Sequence, residues 1–148
     1  MTKDEIRIGI IVSLFNSGIT NQLLQGALAT LTKSGIDSNY IDIIKVPGAI
    51  EIPLIAKRLA AMNQYKAIIC LGAVIQGETY HHDYVCQQVS QGCQQVMLEY
   101  NLPVIFGILA TKNLKQAQER ASGVKGHKGV EAANAAISMI NLIKIMEG

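Results

Sequence analysis

Four short runs rich in β-branched and aliphatic residues, Ile6–Val12, Tyr40–Val46, Ala67–Ile75 and Val104–Leu109, recur along the chain, and a longer stretch with helical spacing follows each of them. A strand with one wet face alternates apolar and polar side chains. Ile6–Val12 is instead a nearly continuous β-branched run, the pattern of a strand buried on both faces. Strands of that kind joined by helices form a parallel sheet with helices packed on both sides. Right-handed crossovers then wind the chain outward in two directions from the middle of the sheet.

The expected fold is therefore a single α/β domain over 1–148: a three-layer α/β/α sandwich on a four-stranded parallel sheet, doubly wound and flavodoxin-like. Thr20–Lys33 places Leu23, Leu24, Ala27, Leu28 and Leu31 on one helical face, with Gly35 as its stop. Pro47-Gly48 breaks the second strand, and Glu51–Met62 follows as a helix with Pro53 in its first turn. His81–Tyr100 is a helix carrying Val85, Val89, Val96, Met97 and Tyr100. A short helix over Leu114–Ser122 and a last one over Gly129–Met146 complete the set. In that last helix Asn134, Ser138, Asn141, Lys144 and Glu147 form one narrow polar stripe between Ala, Ile, Leu and Met. One sheet face cannot cover so much apolar helix: either this is an unusually buried core helix, or, the reading preferred here, it also packs against a neighbouring chain.

Composition points the same way. Hydrophobic residues make up 49% of the chain and charged residues 16%, a low charged fraction for a free-standing domain. A net charge of +2 without a basic stripe, no Trp, two Phe and five Tyr argue against a nucleic-acid partner. No run is long enough for a membrane span, and the first residues carry charge where a secretory signal would be apolar. Cys70, Cys86 and Cys93 form no CxxC pair, and the last two lie two helical turns apart. They read as reduced core cysteines of a cytoplasmic protein.

In a doubly wound sheet, ligands bind beyond the C-terminal ends of the strands. In this chain those ends are Ser13–Asn16, Pro47–Glu51, Val74–His81 and Leu109–Thr111. The third runs into Gly72-Ala-Val-Ile-Gln-Gly-Glu-Thr-Tyr-His-His-Asp-Tyr-Val85, where four roles compete. A metal is disfavoured: His81 and His82 point about 100° apart on a helix, and no cysteine is read as lying at a useful distance. Thr79 can cap the following helix. The turn Gly77-Glu78-Thr79 offers unpaired backbone N–H groups to an anion, and Arg120 and Lys128, flanking the turn 123–129, can add cations. His81, in the first turn of the helix, is suited to proton transfer because the helix dipole disfavours imidazolium. His82 reads as a surface residue. Phe15 in "FNSG" and Glu51 after "VPGAI" add an aromatic face and a hydrogen-bond acceptor, which suit a planar heterocycle bearing hydroxyls.

Through "FNSGIT", "VPGAIEIP", "LGAVIQGETYHHDYV", "PVIFGIL", "QAQERAS" and "GHKGVEAA", in that order over nearly the whole chain, the sequence resembles the lumazine synthase family. The resemblance implies an enzyme of riboflavin biosynthesis. It joins 5-amino-6-(D-ribitylamino)uracil to 3,4-dihydroxy-2-butanone 4-phosphate, two small-molecule substrates, with no metal or redox cofactor. It further implies that Phe15 stacks on the pyrimidine, that Ala49, Ile50 and Glu51 line the ribitylaminouracil site, and that Ala73, Val74 and Ile75 meet the ring edge through backbone. Glu78, Thr79, Arg120 and Lys128 would hold the phosphate, His81 would be the acid–base residue, and Phe106 would arrive from a neighbouring subunit of a homopentamer. Decamers and sixty-subunit shells are further assemblies compatible with the resemblance. The chain departs from the family at Ile50, where an aromatic is frequent, at Leu14, usually Arg, and at Gln76, usually basic.

Overall fold

A computed structural model of the chain describes residues 6–76 and 81–148. Its elements are β1 (Ile8–Ser13), α1 (Ser17–Lys33), β2 (Ile41–Val46), α2 (Ile52–Ala61), β3 (Ala67–Ile75), α3 (His81–Tyr100), β4 (Val104–Thr111), α4 (Leu114–Ser122) and α5 (Lys128–Met146). Short 3-10 turns at Ser38–Tyr40 and Ala49–Glu51 lead into β2 and α2. The four strands are parallel in the order β2-β1-β3-β4, with helices on both faces, as the three-layer expectation requires.

The central strands feed two cores from one backbone, because successive side chains point to opposite faces. Ile8, Ile10 and Val12 of β1, with Ala67, Ile69, Leu71 and Ala73 of β3, pack under α1, α4 and α5. Ile11, Ile68, Cys70 and Val74 face the other way, under α2 and α3 with Val89, Cys93 and Val96. Each large aliphatic side chain so buried contributes about 1.5–3 kcal/mol relative to exposure. The side that holds α1 and α5 depends on a close helix contact. A Cβ at Gly129 would fall on the Leu23 carbonyl, so only glycine lets the start of α5 rest on α1.

Several element ends move relative to the sequence reading. β1 starts at Ile8, because its partners begin at Ile41 and Ala67. α1 starts three residues early, at Ser17, behind Asn16 in a left-handed conformation (φ 61°, ψ 44°). β4 runs on to Thr111, since it stays paired with β3 as far as Ile75. The helix expected from Glu51 opens as a tighter turn, with the Gly48 N–H donating to Glu51 Oε1 at 2.9 Å and Pro53 just inside α2. Gly35 (φ 94°) ends α1 as expected: the Ile36 N–H returns to the Leu31 carbonyl at 3.1 Å.

At the opposite end of the sheet Arg7 donates to both oxygens of Asp42, at 3.0 and 2.8 Å, and the Tyr65 hydroxyl donates to Asp42 Oδ2 at 2.8 Å. Burial opposes the charge on Asp42, but Tyr65 and Arg7 outweigh it and hold the carboxyl below its ordinary range. Tyr65, desolvated and bound to that carboxylate, is pushed up to about 12. On α5 the whole polar stripe is exposed, and so are Met139, Leu142, Ile145 and Met146, with Ile145 76% exposed. The single chain leaves this apolar surface open, as its sequence predicted. Cys70, Cys86 and Cys93 are free thiols. Among the described residues no helix is long and apolar enough to cross a membrane.

Two outcomes test this packing. Gly129→Ala should destabilise by about 1–3 kcal/mol in chemical denaturation, the range for overfilling a tight contact, although alanine is the better helix former. Asp42→Asn should cost stability near neutral pH. A depressed carboxyl contributes fully above its unfolded value of about 3.9, and the contribution fades as pH falls through the lower folded value. Urea titrations of both proteins at about pH 7 and pH 2.5 should show the deficit shrinking in acid; a constant deficit contradicts the assignment.

Candidate active site

Backbone hydrogen bonds carry the β1–β2 pairing past the ends of both strands. The Leu14 N–H donates to the Val46 carbonyl at 2.8 Å and the Phe15 N–H to the Pro47 carbonyl at 3.0 Å. This sets the Phe15 loop beside the 47–51 turn. Phe15 is 71% exposed, an aromatic face held outward by main-chain bonds rather than packed in a core. Thr20, fully buried, donates to the Ser13 carbonyl at 2.8 Å and ties the loop to the start of α1.

Asn16 makes the second link. β1 pairs with β3 only as far as Leu71, so the edge of β3 facing β1 opens beyond that point. The Asn16 amide crosses the opening and donates to the Ala73 carbonyl at 2.9 Å. Asparagine tolerates the left-handed backbone and supplies the amide, two requirements that few residues meet together. The sequence reading passed over it, although an Asn between an exposed aromatic and a helix start is the signal that could have found it. Ala73 and Val74 are buried in opposite cores and Ile75 packs on the α1–α5 side. Their side chains are committed, and what this segment can offer a ligand is backbone.

In the 47–51 turn Ala49 is buried and Ile50 exposed. Glu51 spends one carboxylate oxygen on the Gly48 N–H; a carboxylate has about four acceptor sites, so acceptor capacity remains. Beneath the turn, Ser13 Oγ is buried without a partner among the described residues, and a Cβ at Gly72 would sit 3.1 Å from it. The structure thus brings Phe15, Ala49, Ile50, Glu51 and Ala73–Ile75 to one rim of the sheet.

Of the other predicted residues, Arg120, Lys128 and Phe106 are described. Arg120 is exposed in the last turn of α4, and Lys128 is half-buried as the first residue of α5. Phe106 pairs with Cys70 on the edge strand β4, about 10 Å along the strand from Ala73, and packs toward α2 and α3. Gly77, Glu78, Thr79 and the His81 side chain lie outside the described residues; His81 is the first residue of α3. Two readings of the histidine pair need correction. His82 is not a surface residue: its side chain is 14% exposed. A cysteine does lie within reach, because Cys86 is one helical turn on, with Sγ 3.9 Å from His82 Nε2, while His82 Nδ1 is 3.3 Å from Asp83. Among the described residues no three His, Cys, Asp or Glu side chains group as metal ligands.

Residues 5–144 match the family model described as 6,7-dimethyl-8-ribityllumazine synthase. Proteins of that name from Coxiella burnetii strains CbuG_Q212, RSA 493 / Nine Mile phase I and Dugway 5J108-111 are each 54% identical to this chain over 147 residues. The match covers 99% of this chain and 97% of each relative. The chain belongs to the 6,7-dimethyl-8-ribityllumazine synthase family. It is accordingly an enzyme, a transferase of riboflavin biosynthesis. The 6,7-dimethyl-8-ribityllumazine synthase match reaches into α5 and includes every residue discussed at the rim.

Asn16 can be tested in two steps. Asn16→Gly keeps the backbone conformation and removes only the bond to Ala73. It should weaken binding of the aromatic substrate with little loss of stability. Asn16→Ala adds the left-handed penalty, about 1 kcal/mol or more. Denaturation midpoints and substrate titrations of the pair separate the effects; equal stability of the two variants contradicts the strain argument.

Proposed function

We propose that the chain condenses 5-amino-6-(D-ribitylamino)uracil with 3,4-dihydroxy-2-butanone 4-phosphate to give 6,7-dimethyl-8-ribityllumazine, phosphate and water. The observation that carries the reading is the rim where Phe15, the Glu51 turn and the open edge of β3 are tied together by Asn16 and main-chain bonds. Phe15 stacks on the pyrimidine. The backbone of Ala73, Val74 and Ile75 meets the ring edge, and Ala49, Ile50 and Glu51 line the ribityl chain, with Glu51 accepting from its hydroxyls. Glu78, Thr79, Arg120 and Lys128 hold the phosphate.

The uracil amine attacks the ketone carbon and water leaves as the imine forms. His81 takes a proton from the hydroxyl-bearing carbon as phosphate departs; the enol left behind is protonated at its terminal carbon and becomes a new ketone, and the ribitylamino nitrogen closes the ring on that carbonyl with loss of water. No electron is gained or lost overall, so the sequence of steps needs no redox cofactor. Most of the rate comes from holding two reactants in register; proton transfer adds roughly 10²–10⁴. The enzyme works in the cytoplasm as a homopentamer of 1–148 domains. The apolar face of α5 supports association, and Phe106, on the edge strand away from its own rim, serves a neighbour's site. Decamers or sixty-subunit shells are assemblies of that pentamer.

Mixing the purified protein with both substrates should produce the lumazine chromophore faster than the uncatalysed reaction; no acceleration rejects the reading. His81→Ala should slow turnover by about 10²–10⁴ without abolishing it, and Arg120→Ala should mainly raise KM for the phosphate substrate. Complete inactivity of a folded His81→Ala protein contradicts the proximity argument. Light scattering tests the assembly, which a clean monomer excludes.

A further inference from the structure

His127 is the residue before α5, and three observations converge on it. Its Nδ1 accepts from the Val130 N–H at 3.3 Å, so an imidazole fills the N-cap position usually held by Ser, Thr, Asn or Asp. Its ring lies in a notch of α1 that exists because residue 26 is glycine: a Cβ on Gly26 would fall on the imidazole. His127 also lines an open surface groove of about 430 Å³ with Asn21, Gln22, Gln25, Gly26, Ala121 and Ser122. The next residue, Lys128, begins α5.

We infer that His127 is a positioning residue for the phosphate half of the reaction: docked between α1 and the first turn of α5, its ring fixes where Lys128 stands. This rests on Lys128 binding the phosphate, as proposed above. Lys128 sits at the helix end, where the first N–H groups lack helical partners and the backbone frays unless capped. The cap bond holds the turn from within α5, and the Gly26 notch holds the ring against α1. One residue further on, Gly129 rests on the Leu23 carbonyl. Lys128 is thus clamped on both sides, by His127 and by Gly129, onto the same helix.

The cap bond requires an unprotonated Nδ1. A protonated ring presents N–H to N–H at that position and cannot accept. α1 offers the neutral amides of Asn21, Gln22 and Gln25, and α4 offers Ser122. Lys128 and Glu131 lie in the first turn of α5, and Lys125 in the preceding turn pairs with Glu119 at 3.4 Å.

The experiment is steady-state kinetics of the full-length enzyme, varying each substrate in turn, for wild type, His127→Ala, His127→Asn and Lys128→Ala. His127→Ala should raise KM for the butanone phosphate about fivefold, the scale of one lost helix cap, with kcat and KM for the uracil within about twofold. His127→Asn restores a capping side chain and should return KM toward wild type. Adding His127→Ala to Lys128→Ala should cost nothing further. The inference falls if His127→Ala raises both KM values alike or lowers only kcat, or if His127→Asn does not restore the phosphate KM. Should His127→Ala fail to fold, His127→Leu takes its place, since leucine fills the Gly26 notch but cannot accept the cap bond: an unchanged phosphate KM overturns the inference. If Lys128→Ala leaves the phosphate KM unchanged, the assignment of Lys128 fails instead, and the clamp has no catalytic purpose.

Discussion

The structure depends on burying both faces of β1 and β3. Backbone groups of these strands are satisfied laterally by parallel pairing, and their side chains divide between two cores that share no residue. A parallel strand cannot return to its neighbour through a tight turn. Each pairing therefore requires a helix, and the helices cover the faces that the apolar side chains need covered. The same crossovers bring the C-terminal strand ends to one rim, and the loops there are spared from packing.

At that rim, precision comes from small polar contacts laid over a rigid sheet. The Phe15 loop is placed by two backbone bonds to the β2 end, one buried threonine and one asparagine amide. None is large: a net hydrogen bond contributes about 0.5–1.5 kcal/mol. Their effect is geometric, holding an exposed aromatic, an acidic turn and an open strand edge in fixed relation. A binding site for two reactants gains rate chiefly from such placement. Across the sheet, α1 and α5 meet through two glycines, and that close approach defines where the basic residue at the start of α5 can stand.

Much of this was legible in the sequence. The four strands, the five helices and the over-apolar face of α5 follow from periodicity, and Phe15 is as exposed as its loop position implied. Errors fell where a contact is not periodic. His82 was read as a surface residue, yet helical spacing places Cys86 one turn beyond it, a neighbour that was overlooked and that helps explain why His82 is mostly covered. Asn16 was missed because its value lies in a left-handed backbone and a partner 57 residues away. His127 was left without a role because a histidine cap resembles any turn residue until its ring is seen against Gly26.

By itself the sequence determined the layers, the strand directions and the family, since these follow from hydrophobic period and from motifs contiguous in the chain. Only the tertiary structure decided which strand edge stays open, which carboxylate oxygen is already engaged, and which glycines admit another helix. Those depend on distances between segments far apart in the chain, and such distances are fixed when the two cores pack, not by any local pattern.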